Sequence, residues 1–145
     1  MTQKIILLVE HDKDDEDLVL LAIRKGNVAT KIAIARDGVE ALDYLFATGK
    51  HAGRNIAEMP QLVLLDMRLP KIDGLEVLRQ IRANPHTRRL PVVFLTSSEH
   101  EEHLLQGYDL GVNSFIRKPV DFNHFVDVVH RLQMYWLVLN EPAPA

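Results

Sequence analysis

The 145-residue chain contains no cysteine, and this absence excludes several kinds of chemistry. Without a thiol the protein forms no disulfide, holds no metal through thiolates and has no cysteine nucleophile. The lack of cysteine is in keeping with a reducing compartment, so we expect a cytoplasmic protein.

The chain also lacks a long apolar run and a strong excess of either charge. No segment approaches the roughly 18 apolar residues that a membrane-spanning helix needs. The N-terminus has only Lys4 before a short strand-like run and no cleavage site after it, so it is not a signal peptide. A formal net charge of -3 gives no reason to expect binding to nucleic acid. We therefore expect neither a membrane nor a nucleic acid partner.

Five short segments have patterns that are typical of strands. Ile5–Val9, Leu62–Leu65 and Pro91–Leu95 are continuous apolar runs, as in strands that a parallel sheet buries on both faces. Lys31–Arg36 alternates apolar and polar residues, which favours a strand near an edge, and Ser114–Arg117 is the last predicted strand.

A helical pattern follows each predicted strand. The first helix has predicted core positions Leu18, Leu21 and Ala22, and the last begins at the cap Asp121 and runs to about Leu139. Five alternating units predict an α/β fold: a single doubly wound, five-stranded parallel sheet of the flavodoxin-like type with five helices. The expected strand order is 2-1-3-4-5 with right-handed crossovers. Residues 1–140 would form this domain, and residues 141–145 a disordered tail.

In that order the first and third strands are neighbours, so their carboxyl ends bring acidic residues together. Glu10, His11 and Asp12 follow the first strand, and Asp66 ends the third. Crowded carboxylates repel one another and need a cation to remain ionised, and oxygen ligands suit Mg²⁺ or Mn²⁺. When Asp66 is considered without these neighbours, the alternative is that it caps a turn or the next helix.

Two more polar residues follow the fourth and fifth strands. Thr96 offers a hydroxyl and Lys118 an ammonium group. A carboxylate, a divalent cation, a hydroxyl and an ammonium together are the groups that can hold a phosphoryl group on an aspartate. The strand ends therefore indicate phosphoryl chemistry at Asp66.

These residues belong to short motifs that occur in order along the chain. In them the chain resembles bacterial two-component response-regulator receiver domains: Leu8-Val9-Glu10, Asp66-Met67-Arg68-Leu69-Pro70 with Asp73-Gly74, Leu95-Thr96-Ser97, and Lys118-Pro119. The resemblance implies that Asp66 is the phosphoacceptor for a sensor histidine kinase and that Thr96 and Lys118 contact the phosphoryl group. It also implies a metal held by Glu10, Asp66 and the backbone carbonyl of Arg68. Such a protein is a switch for protein contacts and not an enzyme.

Two further regions refine the resemblance. The residues around Trp136 and the loop after the second helix look like single-domain regulators that are paired with bacterial phytochromes, so a bacterial phytochrome is a candidate kinase. Phe115 stands where the family carries a switch aromatic, which changes rotamer together with the hydroxyl at Thr96. The alternative for Phe115 is a half-buried strand residue with no switching role.

One position departs from the family pattern. The first strand of a receiver normally ends in two acidic residues, and the second of them binds the metal; here His11 follows Glu10. A neutral imidazole is a poor ligand for Mg²⁺ and a better one for Mn²⁺. A protonated imidazole would instead supply a positive charge and so partly substitute for the metal cation. Asp12 is the other candidate ligand at this point. We therefore expect weakened or altered metal binding, and a pseudo-receiver that signals without phosphorylation is the alternative function.

A metal-dependent phosphatase with an aspartyl nucleophile is a second alternative. Such enzymes need an acidic residue two positions after the nucleophile, and this chain has Arg68 there. The position therefore disfavours a phosphatase.

The last helix carries more apolar residues than one inward stripe can use. Its predicted inward stripe consists of Phe122, Phe125, Val126, Val129, Leu132 and Trp136. Val128, Tyr135 and Val138 lie outside this stripe, and surplus apolar surface favours a protein interface. We expect a homodimer through the face of the fourth and fifth helices, with kinase docking as the alternative.

Overall fold

The predicted parallel sheet is present in a computed structural model, which describes residues 4–26, 28–97, 101–118 and 121–144. Within these residues the strands are β1 Ile5–Val9, β2 Lys31–Ala35, β3 Leu62–Asp66, β4 Val92–Thr96 and β5 Ser114–Arg117. All neighbouring strands pair in parallel in the order β2-β1-β3-β4-β5, which confirms the predicted topology.

Five helices connect or follow the strands in the described part of the chain. They are α1 Lys13–Lys25, α2 Gly38–Phe46, α3 Gly74–Ala83, α4 Glu101–Asp109 and α5 Phe122–Gln133. A short 3₁₀ helix at Gly49–His51 follows α2, and a π-helical segment at Met134–Leu139 continues α5. The segment from Glu99 to Gln106, heavily charged and with Leu104 and Leu105 as its apolar residues, predicts the fourth helix; the structure describes this helix from Glu101, and Glu99 lies outside the described residues.

The sheet is buried on both faces because its central strands alternate between two apolar cores. One core holds Leu7, Leu65 and Phe94 together with residues of α2 and α3. The other holds the alternate strand residues, such as Leu8 and Leu64, together with residues of α1 and α5. The continuous apolar runs of β1, β3 and β4 follow from this two-sided burial.

The buried stripe of α1 differs from the predicted one. Val19, Ala22 and Ile23 are buried, whereas Leu21 is 50% exposed. The chain from residue 18 to residue 23 is entirely apolar, so several helical stripes fit the sequence equally well. Packing of α1 on α5 selects the stripe, and the prediction for Leu21 was wrong.

The last helix buries Phe125, Val129 and Leu137, whereas Tyr135 and Val138 are each 51% exposed. The exposure of Tyr135 and Val138 agrees with their place outside the predicted inward stripe. Residues 141–144 form no helix or strand and are exposed, and the predicted disorder of the tail stays a prediction. Among the described residues we find no helix with the length and apolar character that crossing a bilayer requires.

Candidate functional site

The carboxyl ends of β1 and β3 bring three potential metal ligands together. Val9 pairs with Leu65, so Glu10 and His11 emerge beside Asp66. Glu10 is fully buried and Asp66 nearly so, whereas the side chain of His11 is 44% exposed. His11 Nδ1 lies 3.7 Å from Asp66 Oδ2 and 3.8 Å from Glu10 Oε1. One ligand atom from each of the three residues lies within 4.8 Å of the others, which is close enough to hold one ion.

Lys118, directly after β5, is the cation of this cluster. Its Nζ donates to Asp15 Oδ2 at 2.9 Å, to Glu10 Oε2 at 3.0 Å and to Asp66 Oδ2 at 3.4 Å. Its backbone N–H donates to the carbonyl of Thr96 at 2.9 Å, which fixes the lysine at the sheet edge. Three carboxylates surround one ammonium group, so the site keeps an excess of negative charge that favours a bound cation.

Burial and charge shift the pKa values of this cluster in a consistent way. Burial is the largest cause that raises the pKa of Glu10, the hydrogen bond and negative charge of Asp66 raise it further, and Lys118 lowers it; together they bring the pKa to about 7. Burial lowers the pKa of Lys118, but the bonds and charges of Asp15, Asp66 and Glu10 outweigh burial and raise it overall. Glu10 therefore takes up a proton near neutral pH when no cation is bound.

Asp12 does not join the group of ligands. Its Oδ1 accepts the N–H of Asp15 at 3.0 Å and caps α1, and its own N–H donates to Glu10 Oε1 at 3.2 Å. Of the two residues considered at this position, the structure therefore places His11 in the cluster. Two carboxylates and an imidazole suit Mn²⁺ better than Mg²⁺, which prefers oxygen ligands and water.

The loop after β3 orients the carboxylate of Asp66. The N–H of Arg68 donates to Asp66 Oδ1 at 3.1 Å, which leaves Oδ2 toward Lys118 and His11. Gly74 packs closely against this loop, because a Cβ there would lie 2.5 Å from the carbonyl oxygen of Asp66. The carbonyl of Arg68 stays a predicted metal ligand.

Thr96 and Phe115 occupy different environments. Thr96 is buried at the end of β4, one residue beyond Leu95, which pairs with Asp66, so it lies at the same sheet edge. Phe115 is not in the cluster: its ring stacks on Phe94 at 5.1 Å and contacts the ring of Tyr108 at 5.3 Å. This half-buried packing agrees with a strand residue, and the switch role of Phe115 stays a prediction.

The family model described as the response regulator receiver domain matches residues 6–130. The chain belongs to this family. The receiver domain is 37% identical over 134 residues to the response regulator Rcp1 of Synechocystis sp., covering 92% of this chain and 89% of that protein.

Solved structures of relatives have the same fold over nearly the whole receiver domain. The phosphorylated cyanobacterial phytochrome response regulator RcpA has a TM-score of 0.90 and 36% identity, covering 99% of this chain and 100% of RcpA. The Mn²⁺-bound form of Rcp1 has a TM-score of 0.87 and 35% identity, covering 97% and 99% of the two chains. The bacteriophytochrome response regulator AtBRR is 47% identical with a TM-score of 0.78, covering 97% and 100%.

Asp15 is the site residue that sequence reasoning missed. Its carboxylate binds Lys118, whereas the sequence predicted only that a helix follows the first strand. The sequence signal that could have found it is the N-cap of α1. If Asp12 is the N-cap residue, Asp15 lies three residues later in the first turn of the helix, close to the acidic residues that follow β1. Pro119, which follows Lys118 in the family motif, lies outside the described residues.

An open cavity of about 530 Å³ lies beside the receiver site. It is lined by His11, by the loop residues Arg68 and Pro70, by Leu75 of α3 and by His103 of α4. This volume is large enough for a small molecule or several side chains of a partner. The cluster is therefore open to solvent on the side of His11.

Proposed function

We propose that this receiver domain is a phosphorylation switch that accepts a phosphoryl group on Asp66 from a sensor histidine kinase. The observation that carries the proposal is Lys118, whose Nζ lies 3.4 Å from Asp66 Oδ2 and also binds two further carboxylates. An ammonium group held at the acceptor oxygen is already placed to neutralise incoming phosphoryl oxygens.

In the proposed transfer, Asp66 Oδ2 attacks the phosphorus of a phosphohistidine. The new O–P bond forms as the P–N bond breaks, and the imidazole of the kinase leaves with the bonding electron pair. Lys118 Nζ then binds a phosphoryl oxygen, and the hydroxyl of Thr96 donates to another. A divalent cation held by Glu10, His11, Asp66 and the carbonyl of Arg68 supplies further positive charge when it is bound.

The site turns over no substrate in this proposal, so the chain acts as a switch and not as an enzyme. Its output is a changed affinity of the α4–β5–α5 face for a partner protein, through Thr96 and Phe115. RcpA is a phytochrome response regulator and AtBRR a bacteriophytochrome response regulator, which supports a phytochrome as the partner kinase. We propose that both proteins meet in the cytoplasm.

Intact-protein mass spectrometry with a small acyl phosphate donor tests the phosphoacceptor. We expect a mass increase of one phosphoryl group in the parent protein and none in Asp66→Asn. Asp17→Asn is the matched control, because Asp17 is an exposed acidic residue of α1 away from the acceptor, and it should be modified normally. A folded parent protein that gains no mass with Mg²⁺ or Mn²⁺ would contradict the proposal.

One observation favours the pseudo-receiver as a second candidate. His11 Nδ1 lies 3.7 Å from Asp66 Oδ2, so a protonated His11 would hold a positive charge near the place of the usual cation. A receiver stabilised in this way would not need a metal or a phosphoryl group. The same mass measurement separates the two functions, because only the switch gains mass.

The proposed metal preference rests on the same histidine. We expect Mn²⁺ to bind the parent protein more tightly than Mg²⁺, in keeping with the Mn²⁺-bound structure of Rcp1. His11→Asp restores an oxygen ligand and should tighten Mg²⁺ binding, measured by titration with a fluorescence or NMR probe. His124→Asp, on an exposed position of α5, is the control that adds the same charge elsewhere. Tight Mg²⁺ binding with His11 intact would refute the preference.

We also propose a homodimer through the face of α4 and α5. This face carries four exposed apolar or aromatic residues: Leu105 and Tyr108 of α4, and Tyr135 and Val138 after α5. Their burial between two copies would remove apolar surface from water. Sedimentation at increasing concentration should show dimers that Tyr135→Ser weakens. A strict monomer at high concentration, with or without a phosphoryl analogue, would rule the dimer out.

A further inference from the structure

A second cleft, distinct from the phosphoacceptor cluster, lies between α3 and α4. Its volume is about 470 Å³, and residues of both helices and their ends line it: Asp73, Leu75, Glu76, Arg79, Asp109 and Leu110. The cleft shares Asp73 and Leu75 with the cavity beside His11, so the two open into one groove along the same face.

The packing of α4 on β5 determines which side of the helix lines this cleft. A Cβ at Gly107 would lie 2.5 Å from Phe115 Cζ, so the backbone of α4 rests directly on the Phe115 ring. Tyr108 contacts the same ring with a centroid distance of 5.3 Å. These contacts anchor α4 on its β5 side, and its opposite side faces α3 across the cleft.

The charges along the cleft are not balanced. The guanidinium of Arg79 is engaged by Glu76 through two hydrogen bonds of 2.5 and 2.6 Å. Asp73 uses Oδ1 to accept the N–H of Glu76 at 3.0 Å, and neither Asp73 nor Asp109 has a cation partner among the residues that the structure describes. Asp109 also ends α4, where the helix dipole disfavours a carboxylate. Counting only the described part of the chain, the cleft therefore carries two negative charges without a cation partner, beside the apolar residues Leu75 and Leu110.

We propose that this cleft is a docking site for a basic segment of a partner protein. Arginine or lysine side chains of the segment would pair with Asp73 and Asp109, and an aliphatic side chain between them would contact Leu75 and Leu110. The nine residues of α4 span about 13 Å, so about four extended residues cover the cleft. Docking requires no phosphoryl group on Asp66 and does not depend on the proposed phosphorylation.

A defined peptide tests this surface. The probe is a fluorescent, capped peptide in which arginines flank a central leucine, and a matched peptide carries glutamates in place of the arginines. We expect the arginine peptide to bind by fluorescence anisotropy and to shift the backbone amide signals of Leu75, Gln106 and Leu110. The glutamate peptide should not bind, because the cleft is acidic.

Charge reversal at one end of the cleft provides the decisive comparison. Asp109→Lys should weaken binding of the arginine peptide roughly fivefold at low salt, because one attraction becomes a repulsion. Glu102→Lys makes the same charge change at an exposed position of α4 outside the cleft and should leave affinity within about twofold. A lysine at the end of a helix is favourable, so Asp109→Lys should fold. Gln106 of α4 also lines the cleft, so Gln106→Glu adds a negative charge there and should tighten binding of the arginine peptide.

Three results would overturn the docking proposal. The first is equal weakening by Asp109→Lys and Glu102→Lys, which would mean that only net charge matters. The second is amide shifts confined to surfaces away from α3 and α4. The third is binding of arginine amide alone as tightly as the peptide, which would indicate a site for a small cation.

Discussion

Replacing Glu10 by glutamine should stabilise the metal-free protein at and above neutral pH. Glu10 is fully buried, and its pKa rises from 4.5 to about 7 through burial and the neighbouring Asp66. Between these two values the folded protein keeps a proton on Glu10 that the unfolded chain releases. Unfolding therefore becomes easier as the pH rises through this range.

The size of the effect follows from the difference between the two pKa values. Each pKa unit is worth about 1.4 kcal/mol, so a rise from 4.5 to about 7 corresponds to about 3 kcal/mol. Glu10 and Asp66 titrate as a coupled pair, which reduces the effect of Glu10 alone. We therefore expect the free energy of unfolding of the parent protein to fall by about 2 to 3 kcal/mol. Glutamine imitates the protonated carboxyl group and cannot ionise, so Glu10→Gln should not show this loss.

Urea unfolding of both proteins in a chelating buffer, from about pH 5 to about pH 8, measures the difference. The free energy of unfolding of the parent should fall relative to Glu10→Gln across this range. Subtracting the two curves cancels the contribution of the histidines that lie away from Glu10, which both proteins keep. Added Mn²⁺ should remove the difference by favouring the ionised carboxylate. The reasoning is refuted if the two metal-free curves stay parallel from about pH 5 to about pH 8.

Two further predictions concern the packing that supports the site. Gly107→Ala places a Cβ 2.5 Å from Phe115 Cζ and should cost about 1 to 3 kcal/mol in thermal unfolding. Gly53→Ala, which has no neighbour within 4 Å, should change little, and equal effects would contradict the close contact. Arg82→Ala removes hydrogen bonds to the loops before β4 and β5 and should cost about 2 kcal/mol in urea unfolding. Arg131→Ala, an exposed control, should stay within about 0.5 kcal/mol, and a similarly small loss for Arg82→Ala would mean that these bonds contribute little.

Local patterns were sufficient to predict the elements of the fold. The apolar runs at β1, β3 and β4 predicted buried strands, and the alternation at β2 predicted a strand near an edge, where β2 lies. Local patterns did not predict which face of a helix is buried. In α1 the unbroken apolar stretch is compatible with several buried stripes. The packing of α1 on α5 selects one of them and leaves Leu21 exposed to solvent.

The candidate site was predicted as a set of residues and not as a network. Topology alone brings Glu10, His11 and Asp66 together, because it makes β1 and β3 neighbours. The bond between Lys118 and Asp15 depends on the angle of the first turn of α1 against the end of β5, which no local pattern encodes. The separation of Asp12 from the metal ligands depends on the cap that it forms at that same turn.

The sequence by itself determined which groups stand at the ends of the strands, because apolar runs and their polar ends are properties of neighbouring residues along the chain. Only the tertiary structure decided how those groups share charge. The burial of Glu10 beside Asp66 and Lys118 raises its pKa, and burial is a property of the whole packed sheet. The cleft between α3 and α4 has the same origin, since it exists only where two helices that are distant in sequence lie side by side.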